Sequence, residues 1–96
     1  MSTTLDEAVA ALNRKLEGGF DGGTARIDIA GEGSIMLDGE GARAGEGPAD
    51  VTLSADLDTF RGMLDGHVNP TGAFMSGRLS VDGDMGLART LGAALS

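Results

Sequence analysis

Few side chains in this sequence could make or break bonds, and each stands in a pattern that offers it a plainer role. Asp56-Leu57-Asp58 and Asp82-Gly83-Asp84 space two carboxylates as the opening of a calcium loop does. Phe60 and Arg61, however, occupy places where such a loop needs an oxygen ligand and a glycine. Aspartates so placed also cap helices and shape turns, and no metal is expected. His67, the single histidine, follows Asp65 in a turn-like stretch. Acid–base or covalent catalysis would require an activated nucleophile beside it, and a chain without cysteine has no thiolate to offer. The runs GEGSIM and GEGARAGEG resemble phosphate-binding loops in composition only, because neither opens a helix after a buried parallel strand. No catalytic residue, cofactor or enzymatic activity is expected.

The other conspicuous chemistry is soft and apolar. Phe74, Met75 and Met85 crowd between helix-breaking residues in NPTGAFMSGRLSVDGDMGL, in a chain with three phenylalanines and neither tryptophan nor tryptophan's phenolic counterpart tyrosine. Methionine is flexible and polarizable, so it suits irregular cores and equally suits walls that must fit variable apolar ligands. Spacing alone favours the core, since amphipathic stripes are how helices attach to sheets.

The elements that must position these residues follow from periodicity. Leu5, Val9, Leu12 and Leu16 share one face of a helix, with Thr4 and Glu7 as a capping box and Gly18-Gly19 as its stop. Ala25, Ile27 and Ile29 alternate with polar residues, a turn at Gly31-Glu32-Gly33 follows, and Ile35 and Leu37 alternate again, which predicts a hairpin with one buried face. A short strand is expected at Ala42 to Ala44, then another carrying Val51 and Leu53. Asp56 caps a helix bearing Leu57, Phe60, Met63 and Leu64 and closed by Gly66. Asn69-Pro70 starts a very short helix through Phe74 and Met75, ended by Gly77. Leu79 and Val81 form a last strand, and Asp84 caps a final helix with Leu87, Leu91 and Leu95 in steps of four. The expected class is α+β, a mixed and mainly antiparallel sheet of about five strands with helices on one face.

Charge and size narrow the partners. With 96 residues and a formal net charge of −8, the chain is one small domain, 1–96, without a basic patch to neutralise phosphates. Nucleic acid is excluded as a partner, and contact with anionic membranes is at most transient. The acidic N-terminal stretch and the lack of a long apolar run predict a cytoplasmic protein.

Asn69-Pro70, Ala73-Phe74-Met75, Gly77, Leu79, Gly83 and Met85-Gly86-Leu87-Ala88 resemble the C-terminal signature of the sterol carrier protein type two family. ADVTLSADLDTFRGMLDG is similar to the strand and helix that precede it there, so the resemblance is dense from Ala49 to Leu95. Asp84 stands where that signature has asparagine. The resemblance implies a non-enzymatic carrier with an apolar tunnel for a fatty acid, fatty acyl-CoA, sterol-like molecule or phospholipid. An interaction or accessory module beside a lipid-metabolising enzyme is the alternative. It turns the soft cluster from core into pocket wall: Met63, Phe74, Met75, Met85 and the Leu87-Leu91-Leu95 stripe, with Phe60 and Leu64 opposite and Ile27, Ile35 and Leu37 as floor. Peroxisomal members of the family end in a Ser-Lys-Leu-like tripeptide, and this sequence ends Ala94-Leu95-Ser96, so the expectation remains cytoplasmic and, from the compact form, bacterial.

Overall fold

The computed structural model describes residues 3–17, 19–20 and 22–95. Helix α1 (Thr3–Leu16) is followed by β1 (Ala25–Ile29), β2 (Gly33–Asp38), β3 (Gly41–Ala44) and β4 (Val51–Ala55). Then come α2 (Leu57–Asp65), α3 (Pro70–Met75), β5 (Leu79–Gly83) and α4 (Met85–Leu95). The five strands make one sheet in the order β3-β2-β1-β4-β5, in which only β1 and β4 run parallel. This is the mixed α+β architecture expected from the periodicity.

Register puts the apolar strand positions, Met36 of β2 excepted, on one face. Ala25, Ile27 and Ile29 pair with Leu37, Ile35 and Gly33 on one side and with Val51, Leu53 and Ala55 on the other. Leu53 and Ala55 continue to Val81 and Leu79. The helices cover this inner face, and Leu12, Ile35, Leu37 and Leu91 are completely buried there. Burying one such side chain is worth about 1.5 to 3 kcal/mol, so this packed core carries much of the stability.

Three caps behave as the sequence signals. Asp56 accepts from Thr59 N at 2.7 Å, Asn69 accepts from Thr71 N at 2.8 Å, and Asp84 accepts from Gly86 N at 2.9 Å. Each satisfies an orphan amide of a first turn. The Thr59 amide also holds the Asp56 carboxyl below its ordinary pKa. At α1 the expected capping box is not formed in that position, because the helix already includes Thr3 and so places Thr4 inside the first turn. Gly18, half of the expected stop, lies outside the described residues. Gly19, at φ +114°, brings its backbone against β2: a Cβ there would lie 2.5 Å from Asp38 O, so only glycine fits.

The hairpin departs from the expected single buried face. Ser34, Ile35, Met36 and Leu37 are buried in succession, so β2 is covered on both sides. The cause is the connection to β4, which crosses the outer face. Gly45 N donates to Ser34 O at 3.0 Å, Glu46 reaches Arg26 at 3.5 Å, and a Cβ on Gly47 would lie 3.9 Å from Met36 Cε. That crossing also delivers the chain to β4 parallel to β1. Beneath it, Arg26 and the Ser34 hydroxyl both donate to Asp28 Oδ1, at 2.7 and 2.6 Å. Partial burial pushes the Asp28 carboxyl up, but these two donors outweigh it and hold the pKa below the ordinary value.

Candidate functional site

A cavity of about 550 Å³ lies at the other end of the inner face, between α3, α4 and the β4–β5 edge. Leu53 on β4, with Leu79 and Val81 on β5, lines its sheet side; Met63 of α2 and Leu95 of α4 line its buried depth. Phe74, Met75 and Met85 stand at its mouth, 43%, 80% and 53% exposed. Among the described residues these are the large apolar side chains left in water, and all three border one opening. Asn69, Thr71 and Arg89 supply the polar side chains of the wall.

The hollow exists because of what α4 presents to it. Met85, Ala88, Gly92 and Leu95 recur at spacings of three, four and three, which aligns them on one helical face. Two of the four are nearly without side chains. A Cβ on Gly92 would come 3.5 Å from Pro70 Cβ, so α4 and α3 approach each other at that glycine and the space is left farther along the face. Leu91 points instead into the solid core, fully buried. Leu87 packs against the core edge, its Cδ1 2.8 Å from where a Cβ on Gly23 would sit.

Of the residues expected to form a pocket, the structure brings five together around this cavity: Met63, Phe74, Met75, Met85 and Leu95. It places the other seven elsewhere. Ile27, Ile35, Leu37, Phe60 and Leu91 are within the packed core, each at most 2% exposed, and Leu64 and Leu87 pack on its border. The reason is one of side: the intended floor lies on β1 and β2, whose inner-face residues are closed into the packed core, whereas the hollow overlies β4 and β5. Leu53, Leu79, Val81, Ala88, Arg89, Gly92 and Ala93 also line it and are not among the residues expected to form a pocket. The signal that could have found Ala88 and Gly92 is the second stripe of α4, small where the Leu87-Leu91 stripe is large.

The candidate acid–base groups are accounted for locally. Asp56 and Asp84 cap helices, Asp58 lies exposed in the first turn of α2, and Asp82 is exposed at the end of β5. His67 is exposed in the turn after α2, where its backbone amide donates to Gly62 O. Among the described residues, no helix is long and apolar enough to cross a membrane.

A five-stranded sheet with helices packed on one face, hollowed at one edge into an apolar chamber, defines the class as an α+β domain with a cavity beside its sheet. The profile of the SCP-2 sterol transfer family matches residues 3–96, and the chain belongs to that family. It is 42% identical over 74 residues to hydroxysteroid dehydrogenase-like protein 2 of Danio rerio, covering 69% of this chain and 18% of that protein. The Bos taurus protein of the same name is 36% identical over 88 residues, covering 92% of this chain and 20% of that one. The chain thus spans about a fifth of the length of these relatives. Its fold is similar to that of sterol carrier protein 2 from Aedes aegypti, solved in complex with the C16 fatty acid palmitate, with a TM-score of 0.79 and 20% identity over all of this chain and 97% of that one.

Proposed function

We propose that this chain is a non-enzymatic carrier that holds one apolar lipid chain in the hollow between α3, α4 and the β4–β5 edge. The single observation that carries this reading is the chamber itself: about 550 Å³ with an apolar depth and three large apolar side chains at its mouth. Sites for small molecules occupy about 300 to 1,000 Å³, so the volume is of the right order. A fatty acid or the acyl arm of a fatty acyl-CoA is the ligand class favoured here, and the palmitate bound by the Aedes aegypti protein of similar fold supports that choice. Each buried methylene contributes about 0.8 kcal/mol, so a long chain binds through length and not through any single contact. The proposed setting is the cytoplasm, where a surface of net charge −8 disfavours lasting adhesion to anionic membranes.

A second reading has its own support, in that the dehydrogenase-like relatives are about five times longer than the matching region. Here the chain acts as the lipid-holding module of a larger, lipid-metabolising protein. The two readings share the cavity and differ in what stands beside it.

Thermal unfolding of delipidated protein tests the shared part. Palmitate should raise Tm and butyrate should not, because only a ligand that binds the folded state, and binds tightly, shifts the transition. If neither changes Tm at saturating concentration, the carrier reading fails.

A further inference from the structure

Arg89 is the charged side chain that lines the cavity, in a protein whose net charge is −8. Three of the seven basic residues are held in ion pairs: Arg26 with Asp28 and Glu46, Arg43 with Asp38, and Arg61 with Glu7. Arg89 forms no ion pair with any described residue. Its own helix offers none either, since α4 contains no acidic residue from Met85 to Leu95. Among the described residues, then, the guanidinium is a cation without an ion-pair partner beside an apolar cavity. An arginine there can lay its aliphatic stem along the wall while its fork of donors remains at the water boundary.

The rest of the wall sets the polarity of anything that enters. Leu53, Met63, Leu79 and Leu95 make the depth wholly apolar, and Arg89 lies one helical turn from Met85 at the mouth. Asn69 spends its side-chain oxygen on the amides of Thr71 and Gly72, so what it can turn toward a ligand is its amide nitrogen, a donor. A cation and a donor beside an apolar hollow complement a ligand with an apolar tail and an anionic head.

Building on the carrier reading, we infer that the cavity selects single-chain lipids with an ionised carboxylate, bound tail-inward with the carboxylate at Arg89. The guanidinium fork matches a carboxylate in a bidentate arrangement that an alcohol or an ester head cannot reproduce. Because the contact forms at the solvent boundary it is worth about a fivefold factor in affinity, and salt weakens it.

Laurate and 1-dodecanol share a tail and differ in the head, and direct titration of each into delipidated wild type, Arg89→Gln and Arg89→Lys tests the inference. Laurate should bind wild type about fivefold tighter than Arg89→Gln, with Arg89→Lys between them. Dodecanol should bind all three alike. Raising KCl to about 0.5 M should erase the laurate difference and leave dodecanol unaffected. Arg89 is exposed, so equal Tm values for the three unliganded proteins confirm that folding is not what changed. Laurate binding Arg89→Gln as tightly as wild type overturns the assignment of the head while the carrier reading stands. Loss of dodecanol binding in Arg89→Gln overturns it too, since that would make Arg89 a wall of the tail site. A wild type that takes neither molecule overturns the carrier reading, and this inference with it.

Discussion

The inner face of the sheet has two halves built from the same kinds of strand residue and finished in opposite ways. Over β1 and β2, Ile27, Ile35 and Leu37 belong to one buried cluster with Leu12 and Ala8 of α1, and the result is solid, with these residues at most 7% exposed. Over β4 and β5, Leu53, Leu79 and Val81 are just as apolar, yet a chamber of about 550 Å³ stands above them. The strands do not decide the difference. What decides it is the helix above, which offers leucine in one half and Ala88, Gly92 and Ala93 in the other. A cavity of this kind is written in the small residues of a helix, and the large ones only frame it.

The largest expected effect comes from cutting into the solid half. Leu12→Ala should cost about 2 to 5 kcal/mol, since a fully buried leucine leaves a void that a close-packed interior cannot collapse to fill. Met75→Ala removes a side chain of similar size that is 80% exposed, and should stay within about 0.5 kcal/mol. Urea denaturation of the two variants measures the contrast directly. Equal losses would mean that the halves are packed alike.

Filling the hollow should sharpen the contrast next. Gly92→Leu adds bulk to the cavity face of α4 and should lower palmitate affinity more than tenfold while the protein remains folded, read by titration alongside circular dichroism. Gly92→Ala is the partner experiment. Its Cβ meets Pro70 at an ordinary contact distance of 3.5 Å, so the variant should gain up to about 1 kcal/mol from helix propensity and still bind lipid. A destabilised Gly92→Ala would show that α3 and α4 have no slack at that crossing.

The sequence disclosed most of the framework because its signals are local. Alternation at Ala25-Ile27-Ile29, the caps Asp56, Asn69 and Asp84, and the glycine at Gly66 each report on a few neighbouring residues, and each is found in place. What stayed hidden is long-range. The parallel pairing of β1 with β4 and the burial of Met36 both follow from a loop that crosses the outer face, and glycine-rich segments carry no periodicity to announce such a path. Asn13 was equally silent. Its side chain donates to Ala42 O at 3.1 Å and accepts from Ala42 N at 2.8 Å, which ties α1 to the exposed edge of β3 and blocks pairing there. The candidate site was half legible for a related reason. Large apolar residues mark themselves, as Met63, Phe74, Met75 and Met85 did, whereas space is made by residues that offer no signal of their own.

The smallest expected effect lies on the outer face, away from both halves. Asp28, Asp38 and Asp56 all have carboxyl pKa values held below the ordinary level. Groups lowered on folding contribute stability that is complete above the unfolded value of about 3.9 and is lost as pH falls through the folded one. Tm should therefore be flat near neutrality and decline below about pH 4. Asp28→Asn should cost about 1 kcal/mol or less at pH 7 and should soften that acid decline. An unchanged acid limb in the variant would remove the Arg26–Asp28–Ser34 cluster from the account of stability.

The central claim, that lipid enters the hollow half and no other, is open to one direct measurement. Four of the five methionines are reporters already in place: Met63, Met75 and Met85 line the cavity, and Met36 is buried on the opposite face of the sheet. Carbon-13 labelling of their ε-methyl groups, followed by NMR titration with laurate, reads both regions in one sample, with single Met→Leu variants to assign the signals. The signals of Met63, Met75 and Met85 should shift together and saturate, and that of Met36 should stay where it is. A saturable shift of Met36 with the other three unmoved would place the lipid on the wrong side of the sheet and contradict the account.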